Sequence, residues 1–247
     1  SAYGRLHYSL RPPFRKPHHN ITVPALIGGG HVLQPGEVSL AHYGVLFLDE
    51  LTEYACKVLD HLRQPLVDKR VDIARAQEKI QLPCNLQLIA CMNPCACGYW
   101  GVDNRCTCGY LDVKRYQKKL SGPFMDRIDI GIHMGLCEEK QFTHMQSAWI
   151  EKITACKDTP SVKKWVQSVH DCIDQRVGGA ASHMTLADIQ KQADCTEMHH
   201  ALSQSSLRGQ QKTLAVAYTL SVLFEEPLRL EHVNLAKKWS RHRTIGR

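Results

Sequence analysis

The sequence predicts an α/β fold: a parallel sheet flanked by helices in its first half, then an all-helical part. Three observations carry this. Val45-Leu46-Phe47-Leu48 is an unbroken apolar run closed by Asp49-Glu50, and Leu86-Gln87-Leu88-Ile89-Ala90-Cys91-Met92, apolar but for Gln87, reads as a second strand closed by Asn93-Pro94. Short apolar runs bounded by polar and turn residues suit strands covered on both faces, the usual condition of a parallel sheet. After about residue 160 such runs give way to apolar residues at helical spacing.

Taken in order, residues 1–43 are rich in Pro, Gly, His and Arg and read as loops. Pro12, Pro13 and Pro17 forbid a helix around them, and Gly28-Gly29-Gly30 and Pro35-Gly36 signal turns. Leu51, Ala55, Val58, Leu59, Leu62 and Leu66 are spaced as one helix face, which predicts a helix over 51–66 ended by Pro65. Residues 70–75 and 78–82 alternate and predict a β-hairpin. After the strand ending at Asn93 comes a Cys-rich loop over 95–108, then a basic amphipathic helix over 113–120. Ser121-Gly122-Pro123 breaks it, and a strand is expected over 128–134. Helices are expected over 161–177, 186–192 and 207–224, with a last one from 230 toward 242 and a polar linker near 175–183. The expected division is a core over 1–140 and a helical linker and lid over 141–247. No internal repeat or low-complexity segment is present.

With 247 residues, 43% hydrophobic and 22% charged, the chain can bury a substantial core. No apolar run approaches the roughly 20 residues of a membrane span. The N-terminal residues lack a signal peptide's apolar segment and an initiating Met, which reads as a fragment or a processed chain of the cytoplasm. A formal charge of +7 is compatible with a nucleic-acid partner without establishing one. Eleven Cys without a secretory signal suggest reduced thiols and a metal site in preference to a disulfide framework.

Acids at the carboxyl end of a buried strand can hold Mg²⁺ and orient a water, which is the task of a Walker B strand in nucleotide hydrolysis. The complementary phosphate loop, G-x-x-x-x-G-K-[ST], occurs nowhere in the chain. Cys95-Ala96-Cys97 and Cys106-Thr107-Cys108 supply four thiols in two close pairs, enough for tetrahedral Zn²⁺, although C-x-C is tighter than the usual C-x₂-C. Free thiols in a reduced loop are the alternative. Arg70, Arg75 and Lys79 decorate the hairpin; they suit a phosphate backbone or, equally, the protection of an exposed sheet edge. The pairs His18-His19 and His199-His200 read as loop residues, not ligands.

Several segments together carry a resemblance: Arg11-Pro12-Pro13-Phe14-Arg15-Lys16-Pro17-His18-His19, Ala25-Leu26-Ile27-Gly28-Gly29-Gly30, Pro35-Gly36-Glu37-Val38-Ser39-Leu40-Ala41-His42, the strand to Asp49-Glu50, Met92-Asn93-Pro94, Arg115-Tyr116 and Leu120-Ser121-Gly122-Pro123-Phe124-Met125-Asp126-Arg127-Ile128-Asp129. This ordered set resembles the AAA+ ATPases, and within them the magnesium-chelatase-like, ComM-type branch of bacteria. It is dense over 11–134 and weaker over 203–240.

The resemblance implies an AAA+ core whose first strand and phosphate loop are absent, followed by a helical lid. It implies Mg²⁺ on Asp49, water activation by Glu50, a sensor role for Asn93, an arginine finger acting in trans at Arg127 and a lid contact to the γ-phosphate from Arg208. Ala215 and Tyr218 stand where the family tends to be basic, so the lid departs from the pattern. The intact protein would then be a ring-forming, hexameric ATPase that uses ATP and Mg²⁺ to remodel or translocate on DNA, as in branch migration during natural transformation. Two rivals remain open: a chelatase-type remodeller of a protein or metal-insertion partner, and a non-enzymatic, zinc-stabilised remnant. The chain alone, lacking a phosphate loop, is expected to be inactive.

Overall fold

A computed structural model describes residues 12–30, 33–74, 79–102, 104–132, 159–177, 202 and 206–240. It divides into two compact bodies, one over Ser1–Ile128 with Thr244–Arg247 and one over Asp129–Arg243.

The first body is built on three parallel strands in the order β1 (Phe14–Arg15), β4 (Val45–Leu48), β7 (Gln87–Ala90). The register sets Phe14 beside Val45, and Leu48 beside Ala90. Leu46 and Leu48 point into a dry core and are fully buried there. They pack among Leu26, Val38, Leu51, Leu59, Leu62 and Phe124. The opposite face does not meet the expectation of burial on both sides. Phe14 is 63% exposed and Ile89 41% exposed, so among the described residues the sheet is packed on one face only.

The first 43 residues hold more regular structure than their composition suggests. α1 (Val23–Ile27) starts with Thr22 as N-cap and a proline in its first turn, and it ends at Gly28 with φ +117°. Proline costs little there, because those N–H groups have no intrahelical partner. β2 (Gly28–Gly29) and β3 (Gln34–Pro35) form a small antiparallel pair, and α2 (Glu37–Leu40) follows. Gly44 is required where β1 enters the sheet: a Cβ there would run into the Pro13 carbonyl, which accepts from Val45 N.

The helix expected over 51–66 is replaced by a 3₁₀ turn (Leu51–Glu53), α3 (Cys56–Asp60), a run of turns and α4 (Pro65–Asp68). Tyr54 and Ala55 are extended, which breaks the first turn from α3. Pro65 opens α4 instead of ending a helix, again in the first turn, where its missing N–H is harmless. The hairpin forms as β5 (Arg70–Ala74) and β6 (Lys79–Pro83), antiparallel, with Arg75 outside the described residues.

α5 (Tyr110–Gln117) begins three residues before its expected start, at the end of the Cys loop. α6 (Gly122–Met125) uses Ser121 as N-cap. The strand expected over 128–134 does not form in its described part, 128–132. Among the described residues no strand offers it an edge; Gly131 N bonds instead to the Trp239 carbonyl.

The second body contains α7 (Thr159–Val177), α8 (Leu207–Leu223) and α9 (Leu230–Ser240). Leu214, Ala217, Tyr218, Val233 and Ala236 form its core. The helix expected over 186–192, most of the linker and His199-His200 lie outside the described residues.

Candidate active site and cysteine cluster

Parallel pairing puts the ends of β4 and β7 on the same side of the sheet. Their ladder continues past the strands: Cys91 N donates to Leu48 O, and Leu51 N donates to Cys91 O. Asp49 and Glu50 are therefore bracketed by bonds to Cys91, and exposed Asn93 lies two residues further along the neighbouring chain. The crevice beyond the carboxyl ends of parallel strands is where α/β folds bind ligands.

Glu50 adopts the left-handed region, φ 51° and ψ 50°, unusual for a residue with a side chain. This turns the chain sharply off the strand, with Glu50 N donating to Asp49 Oδ1 at 3.1 Å. Both carboxylates face basic side chains that the sequence alone did not connect to them. Lys16 Nζ donates to Asp49 Oδ2 at 2.9 Å, and His19 Nδ1 lies 3.5 Å from Glu50 Oε2. The Lys16 hydrogen bond is the main reason that the Asp49 carboxyl sits below its ordinary pKa. Desolvation pushes the Tyr54 phenol up, with the charge of Asp49 adding to it.

The Pro-rich segment is thus a bracket for the acids. Tyr54 Oη donates to the Pro17 carbonyl at 2.6 Å, and the His18 and His19 rings lie 4.0 Å apart, tilted by 36°. One turn back, Arg15 forms a two-pronged pair with Glu37, both bonds 2.6 Å, joining two segments that carried the resemblance. Forked guanidinium–carboxylate geometry fixes orientation as well as charge. The signal for these contacts was the basic residues in a segment barred from being helical, but nothing in their spacing named the acids.

Arg127 follows α6, and its Nη1 donates to the Pro123 carbonyl at 2.6 Å. Arg70 is half-exposed at the base of the hairpin, 3.8 Å from Asp72, and Lys79 opens β6. Arg208 is exposed in the first turn of α8, which Ser206 caps, and belongs to the second body. Tyr218, at one of the two departures from the family's pattern, is a core residue of that body.

The four loop cysteines converge. Cys95, Cys97, Cys106 and Cys108 place all their Sγ atoms within 4.8 Å of one another, with Cys95 fully buried. Backbone N–H groups of Tyr99 and Thr107 donate to Cys97 and, with the Cys95 thiol, hold its pKa down to about 5. Cys106 stands at about 11, where desolvation and the neighbouring Cys97 and Cys95 sulfurs outweigh the opposing Cys108 N–H. Such a donor set suits a thiophilic ion such as zinc.

A parallel sheet with paired acids and an amide at one end, followed by helices, is an α/β core of the AAA+ ATPase kind. The chain belongs to the family described as magnesium chelatase, subunit ChlI, which matches residues 3–142, and within it is of the ComM type. It is 38% identical over 219 residues to the competence protein ComM of Haemophilus influenzae, covering 85% of this chain and 41% of that protein. Against the uncharacterized protein YifB of Salmonella typhimurium it is 36% identical over 220 residues, again 85% of this chain and 41% of the relative. YifB of Escherichia coli is 47% identical over 125 residues, 50% of this chain and 24% of the relative. The chain therefore spans about two fifths of the length of the first two relatives.

Proposed function

We propose that this chain carries the hydrolytic acids, the sensor and the inter-subunit arginine of an ATPase that remodels DNA as a ring of identical subunits, hexameric and cytoplasmic. The observation that carries this reading is the side-by-side ending of β4 and β7, which sets Asp49-Glu50 beside the chain leading to Asn93. Asp49 would hold Mg²⁺, Glu50 would take the proton of the attacking water and Asn93 would orient that water. Arg127 would reach the nucleotide of a neighbouring subunit, where an arginine finger contributes about 10³–10⁵ in rate. Arg208 would act as the lid residue that contacts the γ-phosphate.

Lys16 occupies one oxygen of Asp49. Exposed pairs of this kind are weak, so Mg²⁺ can take its place. Glu50 lies beside His19. The DNA reading draws on the basic hairpin residues Arg70, Arg75 and Lys79 and on a relative named for competence. The family's chelatase name favours the rival, a remodeller of a protein or metal-insertion partner.

Two measurements test this. The 247-residue chain, which has no phosphate loop, turns over no ATP; joined after a segment that supplies one, it hydrolyses ATP, and Glu50→Gln removes the activity. An ATPase in the chain alone that vanishes in Glu50→Gln would overturn the first part. Fluorescence anisotropy with single-stranded and branched DNA should show binding that weakens steeply with salt and weakens further when Arg70, Arg75 and Lys79 are replaced by Ala. Absence of binding near physiological salt favours the chelatase-type rival.

A further inference from the structure

We propose that Cys95, Cys97, Cys106 and Cys108 form a structural zinc centre, and that the ion positions Asn93 by closing the loop that starts two residues beyond it. The distances support a single ion. Four thiolates about 2.3 Å from a tetrahedral zinc stand roughly 3.8 Å apart. Here Cys95 and Cys97 are 3.3 Å apart, Cys97 and Cys106 3.6 Å, and Cys95 and Cys106 3.9 Å. A disulfide would bring one pair to about 2.05 Å, and all four cysteines are free. An iron–sulfur cluster would hold the thiolates around a core of several atoms, wider than this set allows.

The backbone is arranged to hold thiolates. Tyr99 N and Thr107 N donate to Cys97, Cys108 N donates to Cys106, and Cys97 N donates to Cys108. Such donors stabilise charged sulfur and fix its direction toward a metal. The tight C-x-C spacing is made workable by Gly98 and Gly101, at φ +83° and +86°, where a side chain would be strained. Binding takes all four sulfurs as thiolates: Zn²⁺ displaces the protons that the cysteines still carry and gives a tetrathiolate zinc, with no change of oxidation state.

The same loop is tied to the candidate active site at two points. Gln117 Nε2, at the end of α5, donates to the Pro94 carbonyl at 3.3 Å. One residue earlier, Tyr116 shares a hydrogen bond with Thr52 in the turn that follows Asp49-Glu50. Zinc at the four cysteines therefore anchors both ends of the path from residue 94 to α5. The role given to Asn93 rests on the ATPase reading; the metal centre does not.

The test begins with the intact chain purified without added metal, its zinc counted after the thiols are displaced by a mercurial. One zinc per chain is expected, and a chain that purifies folded and binds no added Zn²⁺ overturns the centre. Cobalt(II) replacing zinc should give the intense visible bands of a tetrahedral tetrathiolate; weak octahedral bands would also overturn it. Cys97→Ser with Cys106→Ser should lose all the zinc, while Cys172→Ser, outside the cluster, keeps it. If the double variant fails to fold, the metal count and cobalt spectrum of the unaltered chain still decide. For the coupling, chelation should raise amide exchange severalfold over residues 91–97 and 110–117 and leave Leu46 and Leu48 protected. A zinc-loaded chain whose exchange at 91–97 is unmoved by chelation overturns the link to Asn93. None of these readouts involves ATP, so their failure is separate from failure of the ATPase reading.

Discussion

Lys16 and His19 show how much of the site depends on groups distant in sequence. Their contacts with Asp49 and Glu50 cross more of the chain than any local period can report, so the acids were legible and their partners were not. Replacing Lys16 with Met should let the Asp49 carboxyl rise from its lowered pKa toward the ordinary value of about 3.9, as read by a carbon-13 carboxyl titration. An unchanged titration would mean that the pair does not persist in solution. His232 offers a second test in the other body. Its Nδ1 accepts from Arg229 N at 3.1 Å, closing the start of α9, and this requires neutral imidazole. Burial lowers its pKa; among its charged neighbours Glu226 and Glu231 work against that and Arg229 with it. The sign follows from linkage: below about pH 6.5 the unfolded state binds the proton more readily than the folded one, so stability present above that pH is lost as acid is added. Chemical denaturation of the helical body should show this loss between neutral and mildly acid pH, and His232→Asn should reduce it.

The elements differ in how openly the sequence announces them. β4 and β7 were legible because apolar runs ended by polar residues allow few other readings, and α7, α8 and α9 because their apolar spacing is sustained. The expected helix over 51–66 failed for an instructive reason. The turns at 61–64 pack residues at nearly the spacing of a helix, so Leu59, Leu62 and Leu66 keep their pattern while the hydrogen bonding is interrupted. The break at Tyr54 is set by tertiary contact, since its ring is buried and its hydroxyl is claimed by Pro17. The strand expected over 128–134 does not form in its described part, since a strand exists only where an edge accepts it. The Cys pairs lie at the other extreme: four residues within fourteen positions announced their convergence without help from the rest of the fold.

At the scale of the molecule, the two bodies are assembled by different kinds of contact. The helical body joins α8 to α9, neighbours in sequence, across a short turn. The sheet body must bring Phe14 to Val45 and Val45 to Gln87 before either strand is secured, and parallel pairings pay loop-closure entropy before contacts repay it. Among the described residues the sheet also keeps an apolar face toward water, where Phe14 stacks on Phe47 at 6.0 Å and Ile89 lies alongside in register with Phe47. The consequence is practical: a hydrophobic dye should light up on the fully native chain, so a high starting signal in a dye-based melt does not indicate a molten state. Near-UV circular dichroism settles which it is, since a native chain keeps its aromatic signals while the dye is bound. Phe14→Ser with Phe47→Ser should dim the dye and leave the helical signal in place.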